Sequence, residues 1–274
     1  MGGAPPATPV ENTQPESGLE IWYADLAQDS ARLRNVAHAH DLLPPSEPGT
    51  ADTPRLTAHA ALRIVLAGHI GIAETRRPFL IAPGGKPMLA VSSPPLEFSL
   101  AHCETAALIA ISYDGPVGVD LETPRPLRIA DGRCAALIDA AIALAPETAL
   151  PDGPGDARFL QAWTRLEALA KATGEGIGAL LERLRRGEAL VAEALPGSRA
   201  LRVRDVTVRS ASPHFAAVAG PSPSLAASVA PETLAIPLDR DSLAQLLTGG
   251  ARRHNQMNPA ARPTPPSGLP ETAR

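Results

Sequence analysis

The chain carries only two cysteines in 274 residues, Cys103 and Cys134, and has no Cys-x-x-Cys or His-x-x-x-His spacing. That scarcity argues against a disulfide framework and against a thiolate or imidazole zinc site. No stretch approaches the roughly eighteen consecutive apolar residues of a membrane span, and no signal-like apolar segment opens the N-terminus. The expectation is a reduced, cytoplasmic protein with no membrane association. An excess of either charge is missing too: 25 Lys and Arg against 29 Asp and Glu give a net charge of −4 and a pI near 6.0. Nucleic-acid binding is not suggested by such a balance. What the chain does have is apolar content, 44% hydrophobic in 28.4 kDa, enough for one large core or two modest ones.

Proline punctuates the ends. Pro5, Pro6, Pro9 and Pro15 fall within residues 1–18, and Pro259, Pro263, Pro265, Pro266 and Pro270 within residues 251–274. Residues 1–18 are expected to be a disordered tail, and residues 241–274 mostly one. Between them the pattern predicts a strand at 20–26, a Pro-rich loop at 41–54 and a helix at 55–71. Paired strands follow at 96–101 and 106–112, then a turn at 112–116 into a strand at 117–121. Helices are expected at 133–144 and 156–173, and strands near 201–208, 214–219 and 233–237.

Two acidic stretches carry the chemistry. In Gly118-Val119-Asp120-Leu121-Glu122 the alternation sends Asp120 and Glu122 to one side, roughly 6.6 Å apart, and Val119 and Leu121 to the other. One face suits a core, and the other can hold a cation. On the later helix, Trp163, Glu167 and Lys171 recur every four residues and share a stripe, which offers Glu167 as a third oxygen ligand. Three carboxylates suit magnesium, which completes its shell with water and substrate phosphate. Each stretch alone has an ordinary explanation: a half-buried strand, and a surface Glu–Lys pair worth ~0.2–0.5 kcal/mol.

Their order along the chain adds to this. Gly85-Lys86-Pro87, then FSLAHC ending in His102 and Cys103, then GVDLE, then FLQAWTRLEALAKATGEG from Phe159 to Gly176, resembles the 4′-phosphopantetheinyl transferases of the Sfp type. The resemblance spans roughly residues 55–220. It implies an α+β fold of two similar lobes in one chain, here 19–116 and 117–240, with coenzyme A held between them. It also implies magnesium-dependent transfer of the 4′-phosphopantetheine group from coenzyme A to a serine of an acyl or peptidyl carrier protein, releasing 3′,5′-ADP.

By the same resemblance Asp120, Glu122 and Glu167 fall on metal positions, Glu167 doubles as general base, and Lys171 meets the phosphates. Lys86 and His102 are suited to the coenzyme's anionic groups. His59 and Arg63, four apart on the helix at 55–71, are candidates for its 3′-phosphate. The partners implied are coenzyme A and an apo carrier protein, met by a monomer. The compact basic run Arg183, Arg185 and Arg186 is the one candidate patch for an acidic carrier, but its first reading is a solvated helical face. The chain departs from the family pattern at Leu166, where many relatives have Lys, and at Ala101, where Ser is frequent. These departures motivate the alternative of a relative that binds coenzyme A or a carrier without transferring anything.

Overall fold

The computed structural model describes residues 18–43, 53–90, 95–127, 131–152, 155–188, 190, 200–208, 210, 212–225 and 233–257, without the side chains of 131–133 and 249–257. The expected N-terminal tail up to residue 17, residues 258–274 and most of the 41–54 loop lie outside these residues. The first half runs β1 (Leu19–Asp25), α1 (Ser30–Ala39), α2 (Pro54–Ile70), α3 (Ile72–Thr75), β2 (Leu80–Ile81), β3 (Pro87–Met88), β4 (Glu97–His102) and β5 (Ala106–Ser112). The second runs β6 (Gly118–Glu122), α4 (Asp131–Leu144), α5 (Gly155–Thr173), α6 (Ile177–Arg185), β7 (Leu201–Asp205), β8 (Phe215–Pro221), β9 (Leu234–Ala235) and α7 (Arg240–Met257).

Strand period 2 explains how these elements stack. The first sheet has the order β4-β5-β1-β9, and the second, fully antiparallel, the order β6-β8-β7. Trp22, Ala24, Ile109 and Ile111 point to one side of the first sheet and pack on α2, with Phe98 from β4. Their alternates Ile21, Tyr23, Leu108 and Ala110 point to the other side and meet Val119, Leu121, Ala216 and Val218 of the second sheet. On the far side of that second sheet Val203, Ala217 and Ala219 pack beneath α5. The result is four layers: α2, first sheet, second sheet, α5. Strands buried on both faces need unbroken apolar runs, and β5, AALIAIS, is buried at every position.

Helix α2 starts where its sequence says it should. Thr53 accepts a hydrogen bond from the Leu56 N–H at 3.2 Å, Pro54 occupies the first turn, and Gly71 ends the helix at φ 84°. It buries residues nearly all round because α1 covers one flank and α7 another.

That last contact corrects an expectation. Residues 240–257 form helix α7 rather than tail, with Leu243 and Leu247 buried in the same core as Ile64 and Leu66. Strand β9, which falls within the expected second lobe, pairs in parallel with β1 of the first sheet, Trp22 opposite Leu234. The chain therefore returns to its first half before it ends. The fold is mixed α+β, as expected.

Candidate active site

A glycine sets the distance between the strand and the helix that carry the acidic residues. A Cβ built on Gly118 would lie 2.1 Å from the Ala168 carbonyl oxygen and 2.4 Å from the Ala172 nitrogen, so α5 rests directly on β6. Gly118, Asp120 and Glu122 share the face that looks at α5. From one turn of that helix Lys171 donates to Asp120 Oδ1 at 2.7 Å. Asp120 is 7% exposed, and its other oxygen, Oδ2, is buried without a hydrogen-bond partner. Glu122 accepts from Arg125 at 3.2 Å.

Electrostatics ties the third carboxylate to these two. The Glu167 carboxyl is raised above its ordinary value by burial first, and then by repulsion from Asp120 and Glu122, with Lys171 opposing. Asp120 is also raised, by burial, against the pull of the Lys171 ammonium. Three carboxylates thus share one field. No group of three His, Cys, Asp or Glu among the described residues stands ready-made around a cation; Lys171 and Arg125 hold two of the acids instead. The donor set is all oxygen, and one buried oxygen lacks a partner, which suits a small hard cation.

The acids stand at the wall of a cleft of about 1020 Å³ that runs from β6 and α5 across the end of β4 to the start of α2. Lys86, His59 and His102 line it, and so does Arg55, one turn before His59. Burial first, then Arg55, His102 and Arg63, lower the His59 imidazole. His102 is lowered by burial and by Arg55 and Lys171, with a backbone hydrogen bond at Cys103 opposing. Lys86 bridges the two sheets, donating to Glu97 at 3.0 Å and to the Val117 carbonyl at 3.2 Å.

A pair of glycine contacts closes the cleft's far end. Gly174 ends α5 at φ 73°, its N–H on the Ala170 carbonyl at 3.0 Å. The β2–β3 turn packs against that cap so closely that a Cβ on Gly84 would fall 1.7 Å from the Gly174 oxygen. Gly84→Ala is expected to push the turn off α5 at a cost of about 1–3 kcal/mol, read as a lower urea midpoint. A wild-type midpoint would show that the contact is dispensable.

The chain is 32% identical over 176 residues to the 4′-phosphopantetheinyl transferase HetI of Nostoc sp., an alignment that covers 62% of this chain and 68% of HetI. It belongs to the 4′-phosphopantetheinyl transferase family. A second relative, slr0495 of Synechocystis sp., provisionally named a 4′-phosphopantetheinyl transferase, is 35% identical over 141 residues, 47% of this chain and 52% of slr0495. No family model matches the chain.

Seen as a transferase of this family, the chain brings Asp120, Glu122, Glu167, Lys171, Lys86, His59 and His102 to one cleft. Arg63 is the exception. Its guanidinium donates to the backbone carbonyls of Thr75 and Arg77, the latter at 2.9 Å, and lies 4.0 Å over the Phe79 ring. Its Nη1 fastens the α3–β2 connection, and Arg63 is not among the residues that line the cleft. Arg55 takes the cleft position and was missed, although it lies on the same four-residue stripe as His59 and Arg63.

The candidate basic patch is likewise neutralised. Arg183 pairs with Glu175 and Glu188, Arg185 with Glu182, and Arg186 with Glu182 and Glu188. Leu166 and Arg165 turn away from the cleft: Leu166 joins the core under α5. Arg165 is fully buried, gripping both oxygens of Asp205 at 2.7 Å and the Ala141 and Thr148 carbonyls. A family Lys at 166 would point into that core here, so Leu166 takes nothing from the cleft.

Proposed function

We propose that this transferase moves the 4′-phosphopantetheine group from coenzyme A to a carrier-protein serine, in the manner of the Sfp-type enzymes. The new bond joins the serine oxygen to the phosphorus next to pantetheine, and the bond from that phosphorus to the 3′,5′-ADP leaving group breaks. The gathering of three carboxylates and four cationic or ionisable bases, Lys171, Lys86, His59 and His102, along one cleft supports this reading.

In it, Asp120, Glu122 and Glu167 would hold magnesium, which when bound neutralises charge on the pyrophosphate. Glu167 takes the serine proton, directly or through a bound water. Lys171, Lys86 and His102 face the anionic groups of the coenzyme, with His59 and Arg55 at the α2 end. Both imidazoles are biased toward the neutral form in the free protein and gain a proton most readily beside a phosphate. The two lobes, 19–116 and 117–240 less β9, which pairs with β1, would act within a monomer with the donor between them.

Incubation with coenzyme A, magnesium and a panel of apo carrier domains tests the reading. A carrier heavier by one phosphopantetheine is the expected outcome. No gain on any carrier, with coenzyme A still bound, would favour the non-catalytic relative that Ala101 and Leu166 motivated.

A further inference from the structure

Lys171 stands between two claims. Its ammonium donates to Asp120 Oδ1 at 2.7 Å, yet its side chain is 32% exposed along the cleft, while the Asp120 side chain is 10% exposed. The carboxylate is fixed on a strand; the cation rides on a flexible four-carbon stem. A buried, ionised carboxylate stripped of its cation is costly, so Asp120 stays ionised only with a positive charge beside it. The same carboxylate keeps Oδ2 buried and unpartnered.

We propose that Lys171 is the resident counter-ion of Asp120 and yields its place to a divalent ion when a donor phosphate arrives to accept the ammonium, so that ion and donor bind cooperatively. This rests on the metal and coenzyme assignments above. An ion approaching the donor-free protein meets an ammonium already seated on Asp120, and the two positive charges repel. Glu167, one turn earlier on the same helix face, also feels the Lys171 charge, but in this reading the ion claims it too. A pyrophosphate in the cleft removes the conflict by giving the ammonium a third choice. Linkage then requires the ion to tighten the donor by the same factor as the donor tightens the ion.

Mn²⁺ titrations followed by electron paramagnetic resonance, with and without coenzyme A and with no carrier present, test the exchange. Mn²⁺ bound by coenzyme A alone is subtracted. In the wild type, coenzyme A should lower the Mn²⁺ Kd by about tenfold, within the usual range for coupled sites. In Lys171→Met, which keeps the aliphatic stem, the donor-free protein should bind Mn²⁺ several-fold more tightly than wild type, and the gain from coenzyme A should shrink. Circular dichroism confirms that the variant is folded, and Lys171→Ala serves as the second variant. Unchanged or weaker Mn²⁺ binding by donor-free, folded Lys171→Met and Lys171→Ala overturns the exchange while leaving the metal site standing. Wild-type Mn²⁺ binding by Asp120→Asn overturns the metal assignment itself, and the exchange with it.

Discussion

Glu167→Gln is expected to lower kcat for carrier modification by about 10²–10⁴-fold, the usual contribution of a positioned base, with more lost if the metal leaves with the carboxylate. The fold should survive, because Gln keeps the shape of the side chain and removes a charge the native state holds unwillingly. Burial and the neighbouring Asp120 and Glu122 raise the Glu167 carboxyl above its unfolded value. The native protein therefore binds this proton at pH values where the unfolded chain has released it, so the group's stability is complete below the unfolded value and is lost as pH rises through the folded one. At neutral pH the metal-free variant should match or exceed the wild type in urea, and the gap should close on acidification toward the ordinary carboxylate range. A urea series at several pH values, paired with the mass measurement, separates the two effects. Wild-type turnover would remove Glu167 from the chemistry; a marked loss of stability at neutral pH would contradict the electrostatics.

Local periodicity made most of the site legible. The alternation in GVDLE correctly separates Val119 and Leu121, which meet the first sheet, from Asp120 and Glu122, which face α5. The stripe on α5 places Glu167 and Lys171 in the same cleft, but Trp163 drifts off it. Four residues overshoot a turn by about 40°, so two steps carry the indole away to stack on Phe159 in a neighbouring hollow beside Leu127. Long-range pairing left no comparable mark. The parallel bond between β9 and β1 spans some two hundred residues, and nothing in the dipeptide Leu234-Ala235 announces it. Helix α7 did carry a signal, Leu243, Leu246 and Leu247 at helical spacing, masked by Gly249, Gly250 and the prolines beyond. Arg63 misled for a related reason: spacing places it beside His59, but which carbonyls claim a guanidinium is decided by a loop fold that spacing does not encode.

Gly118→Val is expected to be the most damaging single change outside the charged residues. The glycine has no need of an unusual backbone angle; what it supplies is space. Even a methyl group would intrude to 2.1 Å and 2.4 Å on backbone atoms of α5 and to 2.9 Å on the Lys171 Cβ. Backbone held in a helix cannot step aside as a flexible side chain does, so the helix must lift as a unit. That movement opens the core formed by Leu166, Leu169, Ala217 and Ala219, at a cost at or above the ~3 kcal/mol upper end for overpacking. The pinned far side of the helix makes yielding harder, since Arg165 ties it to Asp205 of β7 and to the Ala141 and Thr148 carbonyls in and just after α4. Lifting α5 also carries Lys171 and Glu167 away from Asp120, so transfer should fall further than the population of folded protein alone explains, a misplacement effect of the kind that costs about 10²-fold per ångström. Gly118→Ala should show the same losses in weaker form. Activity measured on the folded fraction, beside a urea midpoint, distinguishes the two contributions. A Gly118→Val protein with wild-type stability and turnover would mean that strand and helix do not meet where this site requires them to.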